Sequence, residues 1–196
     1  MRIYDISREL FSAPVYPNNT KPHLSEKQAI KFGDVCNVSD ITMCLHNGTH
    51  IDAPKHFIEN GRDILALGIN TFCGVCDVIT FDDHITGEDF SNKVPADCER
   101  LIIRSNGNGR LTFYSLMDIV ATDIKLIGID DISVAIEGAE AQIHKELLGN
   151  DIAILEGLDL KNVPDGRYVL VCEPIKMAGA DAAPCRAILL KDITIY

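Results

Sequence analysis

Four side chains of the kinds that bind metal ions lie close together in one short stretch of the chain. The segment CLHNGTHIDAPKHF contains His46, His50, Asp52 and His56 within eleven residues. On an extended strand, His50 and Asp52 would point to the same side, about 6.5 Å apart along the backbone. His46 would lie about 13 Å from His50 on a straight strand, so it can join the same site only if the chain bends. Asn47-Gly48 predicts that bend, because both residues tolerate positive φ.

The donor atoms of this segment indicate which ions it would bind. Imidazole nitrogens together with a carboxylate oxygen suit Zn²⁺, Mn²⁺ or Fe²⁺ better than Ca²⁺ or Mg²⁺, whose sites consist mainly of oxygen. Asp52 has two oxygens and could bridge two ions, an arrangement that recurs in metal-assisted hydrolysis. The alternative is a closed zinc site that only stabilises the fold. Such sites favour cysteine ligands, and the sequence has no CxxC…CxxC set.

Two further candidates lie in the second half of the chain. The run from Val134 to Gly149 has apolar residues at helical spacing, which predicts a helix with His144 in its last turns. Glu156 interrupts the apolar strand DIAILEGL, and a carboxylate near the end of a buried strand needs a partner, of which a metal is one. Taken alone, however, each residue also fits a simpler role, His144 as a helix-end histidine and Glu156 as a strand-end acid.

The elements that must position these side chains alternate between strands and helices. Strands are expected at residues 1–7, 37–43, 74–80, 100–104, 125–129, 168–172 and 185–190. Residues 26–32 read as a short helix or an irregular crossover, and Thr112 is expected to cap a helix that ends near Val120. The alternation predicts an α/β or α+β domain, and the length of 196 residues suits one domain spanning 1–196.

The composition and net charge limit the kinds of molecule that the protein is expected to bind. Eighteen basic and twenty-nine acidic side chains give a formal charge of −11, which argues against nucleic acid or an anionic membrane as a partner. No leader pattern and no apolar run of about 18 residues is present, so a cytoplasmic location is the default expectation. Tyr16 lies in the proline-rich loop APVYPNNTKP. It is expected either to stack on an aromatic substrate or to anchor the loop by packing.

The segment HNGTHIDAPKH resembles the HxGTHxDxPxH signature of the cyclase family of metal-dependent hydrolases, which includes the bacterial kynurenine formamidases. The blocks ILEGLDLKNVPDGRYVLV and GADAAPCRAIL also resemble corresponding blocks of the family. The resemblance implies an α/β fold of the swivelling β/β/α type, with one domain, a mixed central sheet and assembly into homodimers or larger oligomers.

The resemblance also implies roles for individual residues. His46, His50 and Asp52 would bind one divalent ion, and Asp52 would bridge to a second ion held by His144, with Glu156 reaching both. His56 would be the general acid and base. The implied cofactor is two divalent metal ions per subunit, zinc first and manganese as the other choice. The implied reaction is hydrolysis of a small-molecule amide, N-formylkynurenine, to kynurenine and formate, with Tyr16 in the loop expected to stack on the substrate.

Two departures from the family pattern bear on the substrate. Kynurenine formamidases typically have Trp-Pro-Gly-Asp where this chain has Tyr16-Pro17-Asn18-Asn19, and Glu173 stands where an apolar residue is common. If Glu173 faces the pocket, its charge would disfavour a carboxylate or select a cationic group; the other expectation is that it points to solvent. The alternatives are therefore another amide or a cyclic amide such as isatin and, third, a non-catalytic metal-binding module, which would have no need of His56.

Overall fold

Most strands join one mixed sheet, with parallel pairs at its centre and antiparallel pairs toward both edges. A computed structural model of the chain describes residues 1–192. The strands are β1 (Arg2–Asp5), β2 (His23–Gln28), β3 (Val38–Thr42), β4 (His50–Asp52), β5 (Cys73–Thr80), β6 (Arg100–Arg104), β7 (Leu126–Ile129), β8 (Ala153–Glu156), β9 (Gly166–Val171), β10 (Ala182–Pro184) and β11 (Ile188–Lys191). The order across the sheet is β1-β11-β9-β5-β6-β7-β8-β4-β10, and β2 and β3 form a separate hairpin.

Four α-helices and four short 3₁₀ turns connect the strands within residues 1–192. The α-helices are α1 (Ile69–Phe72), α2 (Gly87–Lys93), α3 (Leu116–Val120) and α4 (Glu140–Gly149). The 3₁₀ turns are Ile30–Phe32, Pro54–His56, Ile64–Ala66 and Phe113–Ser115. Every helix in this part of the chain is too short or too polar to cross a bilayer.

The central parallel strands are buried on both faces because their apolar side chains alternate between two cores. Leu101 and Ile103 of β6 pack in one core with residues of α2, α3 and α4, whereas Ile102 between them packs in the other core. The second core is built with side chains of the antiparallel strands, including Ile51 and Leu170. Continuous apolar runs are what a strand covered on both faces requires. This architecture confirms the predicted α/β class with a mixed central sheet in one domain.

Three local predictions differ from the structure. The helix expected from Val134 begins only at Glu140, since residues 134–136 are held extended: Leu111 N donates to Val134 O, and Ile136 N donates to Leu111 O. The Thr112 hydroxyl does not cap the following helical turn but donates to Ile85 O at 2.8 Å. Of the residues 26–32 expected as a short helix or crossover, 26–28 belong to strand β2, and only Ile30–Phe32 is helical, as a 3₁₀ turn.

Two glycines allow β8 and the start of β4 to meet. Gly157, which follows β8, has a φ of +71°, and a Cβ on it would lie 2.2 Å from the carbonyl oxygen of Gly48. Thr49 Oγ1 donates to Gly157 O at 2.7 Å, and Gly157 N donates to Asp131 O at 2.9 Å. The backbone contact therefore fixes His50 and Glu156, the residues adjacent to this crossing, in relation to each other.

We expect Gly157→Ala to destabilise the protein more than Gly138→Ala does. Both glycines have positive φ, but a Cβ on Gly138 would meet nothing within 4 Å. Each substitution therefore carries a strain of about 1 kcal/mol, and Gly157→Ala adds a backbone clash of about 2 kcal/mol. Urea denaturation of both variants without metal measures the difference. Equal losses of stability would mean that the Gly48 contact does not constrain this crossing.

Candidate metal centre and active site

Strand pairing brings the central carboxylates and histidine together. β4 lies between β8 and β10, and its antiparallel register with β8 sets His50 directly opposite Glu156. Asp52 follows two residues later on the same face of β4, as the strand parity predicts. All three side chains are buried, with Asp52 0% exposed. Two short strands thus hold three metal-binding side chains away from solvent.

The predicted bend before β4 is confirmed. Gly48 has a φ of +65°, and residues 45–49 form turns and bends, so the chain turns back before the strand begins. As a result, His46 Nδ1 lies 2.9 Å from Asp52 Oδ1, and the ring centroids of His46 and His50 are 5.1 Å apart. A straight strand could not bring His46 this close to Asp52.

Helix α4 supplies the histidine His144 to the same cluster. Ile143 and Leu147 of this helix are buried in the core that it shares with the sheet. His144 Nδ1 donates to the carbonyl of Glu140 at 2.8 Å, which leaves Nε2 facing the site. That nitrogen lies 3.2 Å from Glu156 Oε1 and 3.9 Å from Asp52 Oδ2. The carbonyl fixes the tautomer, as is usual for histidines that bind metals.

His50 is oriented in the same way. Its Nδ1 donates to Gly48 O at 3.1 Å, and its Nε2 points to Asp52 Oδ1 at 3.4 Å and Glu156 Oε2 at 3.7 Å. Glu156 is anchored in turn, because Val134 N donates to its Oε1 at 2.8 Å. Both histidines therefore present Nε2 to the two buried carboxylates.

Three atoms of this cluster that could bind metal make no hydrogen bond in the part of the chain that the structure describes. They are His50 Nε2, Asp52 Oδ1 and Asp52 Oδ2, all buried. His46 Nδ1 is near Asp52 Oδ1, but the pair lacks hydrogen-bond geometry. Burial opposes ionisation of Asp52, yet the neighbouring His46 and His50 hold its pKa well below its ordinary value. A buried anion without hydrogen bonds is unfavourable unless a cation is bound, so the residues fit a divalent metal.

Two sets of donor atoms lie within 4.8 Å of one another, and Asp52 belongs to both. One set is His46, Asp52 and His56, and the other is His50, Asp52 and Glu156. Nitrogen and oxygen donors in these numbers suit a borderline transition metal. Asp52 is thus common to both sets, and His56 lies close enough to Asp52 for either metal binding or proton transfer.

His56 is the most accessible of the clustered histidines, with its side chain 27% exposed. It ends the 3₁₀ turn Pro54–His56, and its ring lies 4.1 Å from that of His46, centroid to centroid. Burial, with some repulsion from His46 and His144, lowers the pKa of His56 below its ordinary value. The imidazole is therefore neutral at pH 7 and able to accept a proton.

Asp181 belongs to the site but was not among the residues predicted from the sequence. It lies just before β10, and its Oδ2 is 2.9 Å from His46 Nε2 and 3.5 Å from His56 Nδ1. Its backbone carbonyl accepts from Ala53 N at 2.9 Å. The signal in the sequence was an acid in the GADAAP block, but its distance from the histidine motif hid the contact.

The candidate pocket opens in front of these side chains. A cavity of about 210 Å³ is lined by the clustered histidines and Glu156 together with Tyr16, Asn19, Phe57, Ile132, Ser133 and Glu140. Tyr16, predicted as a substrate contact, reaches this cavity and is 41% exposed. Glu173 instead lines a separate surface depression with Ile64 and Phe72. Its charge therefore does not face the metal cluster.

Comparisons with known proteins identify relatives over almost the whole chain. The model of a family described as "Putative cyclase" matches residues 4–109. Kynurenine formamidase of Erythrobacter litoralis is 33% identical to this chain over 202 residues, covering 96% of this chain and 93% of the relative. Cyclase-like protein 1 of Arabidopsis thaliana is also 33% identical, covering 97% of this chain and 85% of the relative.

Solved structures share the fold over almost the whole chain. A predicted metal-dependent hydrolase from Bacillus stearothermophilus superposes with a TM-score of 0.82 at 28% identity, covering 96% of this chain and 97% of that one. Isatin hydrolase A from Labrenzia aggregata superposes with a TM-score of 0.82 at 22% identity, covering 96% and 93%. At that lower identity, the likeness to the isatin hydrolase concerns the fold.

We expect metal binding to release protons near neutral pH. Burial disfavours the charged form of His46, but the Asp52 and Asp181 carboxylates raise its pKa to about 9 in the metal-free protein. His46 is then protonated at pH 7, and a bound metal must displace that proton. Calorimetric titration with Zn²⁺ in buffers of different ionisation enthalpy measures the release. It should decline as the pH rises through about 9, and heats that do not depend on the buffer at pH 7 would contradict the prediction.

Proposed function

Because this chain belongs to the cyclase family, we propose that it is a metal-dependent amide hydrolase that converts N-formylkynurenine to kynurenine and formate. The observation that carries the proposal is the buried Asp52 carboxylate without hydrogen bonds, surrounded by His46, His50, His144 and Glu156. Next to it lies a neutral histidine at the mouth of a small cavity. Metal-binding donors beside a proton carrier and an adjoining cavity are the parts that amide hydrolysis requires.

The proposed mechanism divides the work between a metal centre and His56. Divalent metal held by His46, His50, Asp52, His144 and Glu156 would polarise the formyl carbonyl and make water a stronger acid. His56 accepts a proton from the attacking water on its imidazole and returns it to the departing aniline nitrogen. The lowered pKa of His56 keeps its imidazole neutral before the first step, and the Asp181 carboxylate, with Oδ2 3.5 Å from Nδ1, stabilises the imidazolium formed between the steps.

The aromatic part of the proposed substrate has two ring neighbours in the cavity. Tyr16 and Phe57 both line it, and Phe57 packs against the rings of His56 and His144 at 4.4 Å and 5.1 Å. A flat ring between aromatic side chains gains about 0.5–1.5 kcal/mol beyond the burial of its surface. Tyr16 is thus proposed as the stacking residue, in the place where kynurenine formamidases typically carry a tryptophan.

A cyclic amide such as isatin is the second candidate substrate. The cavity of about 210 Å³ is small, and Tyr16 offers less stacking surface than a tryptophan, which favours a compact bicyclic molecule. The same metal-binding residues and His56 would serve that reaction. A non-catalytic metal-binding module is the third possibility, and the neutral, accessible His56 argues against it.

Further properties of the protein stay predictions. We propose two divalent ions per subunit, with zinc preferred and manganese as the alternative, since the nitrogen and oxygen donors accept both. We also propose a homodimer or larger homo-oligomer, a cytoplasmic location, and one domain over residues 1–196, of which 193–196 lie outside the described residues.

Purified protein stripped of metal should be inactive on N-formylkynurenine and regain activity with Zn²⁺ or Mn²⁺. The expected kcat/KM of the loaded enzyme is about 10⁴ M⁻¹s⁻¹ or more, because the proposed site contains every group that the reaction needs. Release of kynurenine is followed by absorbance. Protein that demonstrably holds metal but releases no kynurenine would overturn this substrate assignment, and isatin would then be assayed as the next substrate.

His56→Ala should keep its metal and lose activity. Removal of a general acid and base lowers kcat by about 10² to 10⁴. His23→Ala, on the exposed hairpin strand β2, is the matched control and should match the wild type. Metal content by mass spectrometry separates the two roles that the geometry allows for His56. If the variant loses metal together with activity, His56 is a ligand and the proton-transfer role is wrong.

A further inference from the structure

A second cavity, here called the outer compartment, adjoins the cavity at the metal cluster. This second cavity, of about 250 Å³, shares Tyr16, Ile132, Ser133 and Glu140 with the inner one. Its wall is completed by Pro17, Arg110, Ala135 and Glu137. The inner cavity of about 210 Å³ is below the usual lower limit of about 300 Å³ for ligand pockets. A substrate larger than the inner cavity can therefore extend into the outer compartment.

The outer compartment has a negative charge. Two carboxylates line it: Glu140, which is half-buried at the first residue of α4, and Glu137, which is exposed. Arg110 does not neutralise them, because its Nε donates to Asp131 Oδ2 at 3.0 Å and its Nη2 donates to the same oxygen. Counting Asp131, three carboxylates face one guanidinium in this region.

Glu140 is well placed to connect the two compartments. Its carbonyl fixes His144, so its backbone is tied to the metal cluster, while its side chain lines both cavities. The side chain makes no hydrogen bond to another residue within 1–192. It is therefore available to a bound molecule that spans from the metal cluster outward.

We propose that Glu140, assisted by Glu137, binds a primary ammonium group at the aliphatic end of the substrate, and so favours amides that carry a free ammonium group over amides that lack one. This inference rests on the proposed function, and it names the part of the pocket that would recognise the α-ammonium of N-formylkynurenine. An ammonium group can donate to a carboxylate in a charge-assisted hydrogen bond. The formamide then lies toward the histidines, and Tyr16, which lines both cavities, lies beside the ring between the two ends.

Substrates with and without the ammonium group test the proposal on the metal-loaded enzyme. N-formylkynurenine is compared with 2′-formamidoacetophenone, which keeps the formamide, the ring and the ketone but lacks the amino-acid group. For Glu140→Gln we expect KM for N-formylkynurenine to rise about tenfold, with kcat within about twofold, since one partly exposed charge-assisted bond is lost. Neither constant should change for the truncated substrate. Glu59→Gln removes the same charge at an exposed position outside the pocket and should have no effect on either substrate.

The outcomes separate this inference from the proposed function. If Glu140→Gln changes both substrates alike, or neither, Glu140 does not recognise the ammonium group. Because Glu140 also begins α4, where a negative charge stabilises a helix, thermal denaturation of the variant detects a purely structural effect, which would lower kcat for both substrates.

If the wild-type enzyme hydrolyses neither compound, the proposed reaction is wrong, and binding decides the inference. Titration with kynurenine and with 2-aminoacetophenone then measures the preference for the amino-acid group, and Glu140→Gln shows how much of that preference depends on the Glu140 carboxylate. A wild-type preference for kynurenine that disappears in Glu140→Gln supports the compartment, whereas equal affinities overturn it.

Discussion

The structure of the site depends on the burial of one carboxylate. Asp52 is fully enclosed, and neither of its oxygens accepts a hydrogen bond from residues 1–192. An anion in such surroundings is stable only with positive charge close by. Here that charge must come from neighbouring histidines or from metal, and His46, His50 and His144 all approach the carboxylate within 4 Å. Without metal the histidines serve as counter-charges, and with metal the same atoms are the ligands that we propose.

This requirement explains why the surrounding backbone is so closely constrained. β4 has three residues, yet it pairs on both sides, with β8 and β10, so that His50 and Asp52 cannot rotate away from Glu156. The contact between Gly48 and Gly157 brings the ends of the two strands together where a side chain would not fit. The carbonyls of Gly48 and Glu140 then fix the histidine rings. Backbone atoms therefore orient the metal-binding nitrogens, which makes the geometry independent of flexible side chains.

The lining of the pocket changes from aromatic and apolar to negatively charged with distance from this cluster. Around the metal-binding atoms it is enclosed by Phe57, Ile132 and the histidine rings, so a reacting amide would be partly shielded from water. Farther out, Glu137 and Glu140 make the wall negative. Glu173, which stands where an apolar residue is common in the family, lines a different depression. Chemistry and recognition are thus assigned to two adjoining cavities. The charge that bears on the substrate is that of α4, whose first residue also holds His144.

The sequence by itself determined which metal-binding side chains are available and how the residues next to them are arranged. The spacing of His50 and Asp52 followed from strand parity, the bend at Asn47-Gly48 from permitted φ values, and strand β6 from its apolar run, because all three depend on neighbouring residues. Only the tertiary structure decided what depends on pairing between distant segments. The register of β4 with β8 set Glu156 opposite His50, the return of the chain before β10 brought Asp181 to His46, and the extended pairing of residues 134–136 with Leu111 delayed α4 until Glu140. Contacts between distant segments produce no periodic pattern in the sequence, because each segment alone could pair in many registers.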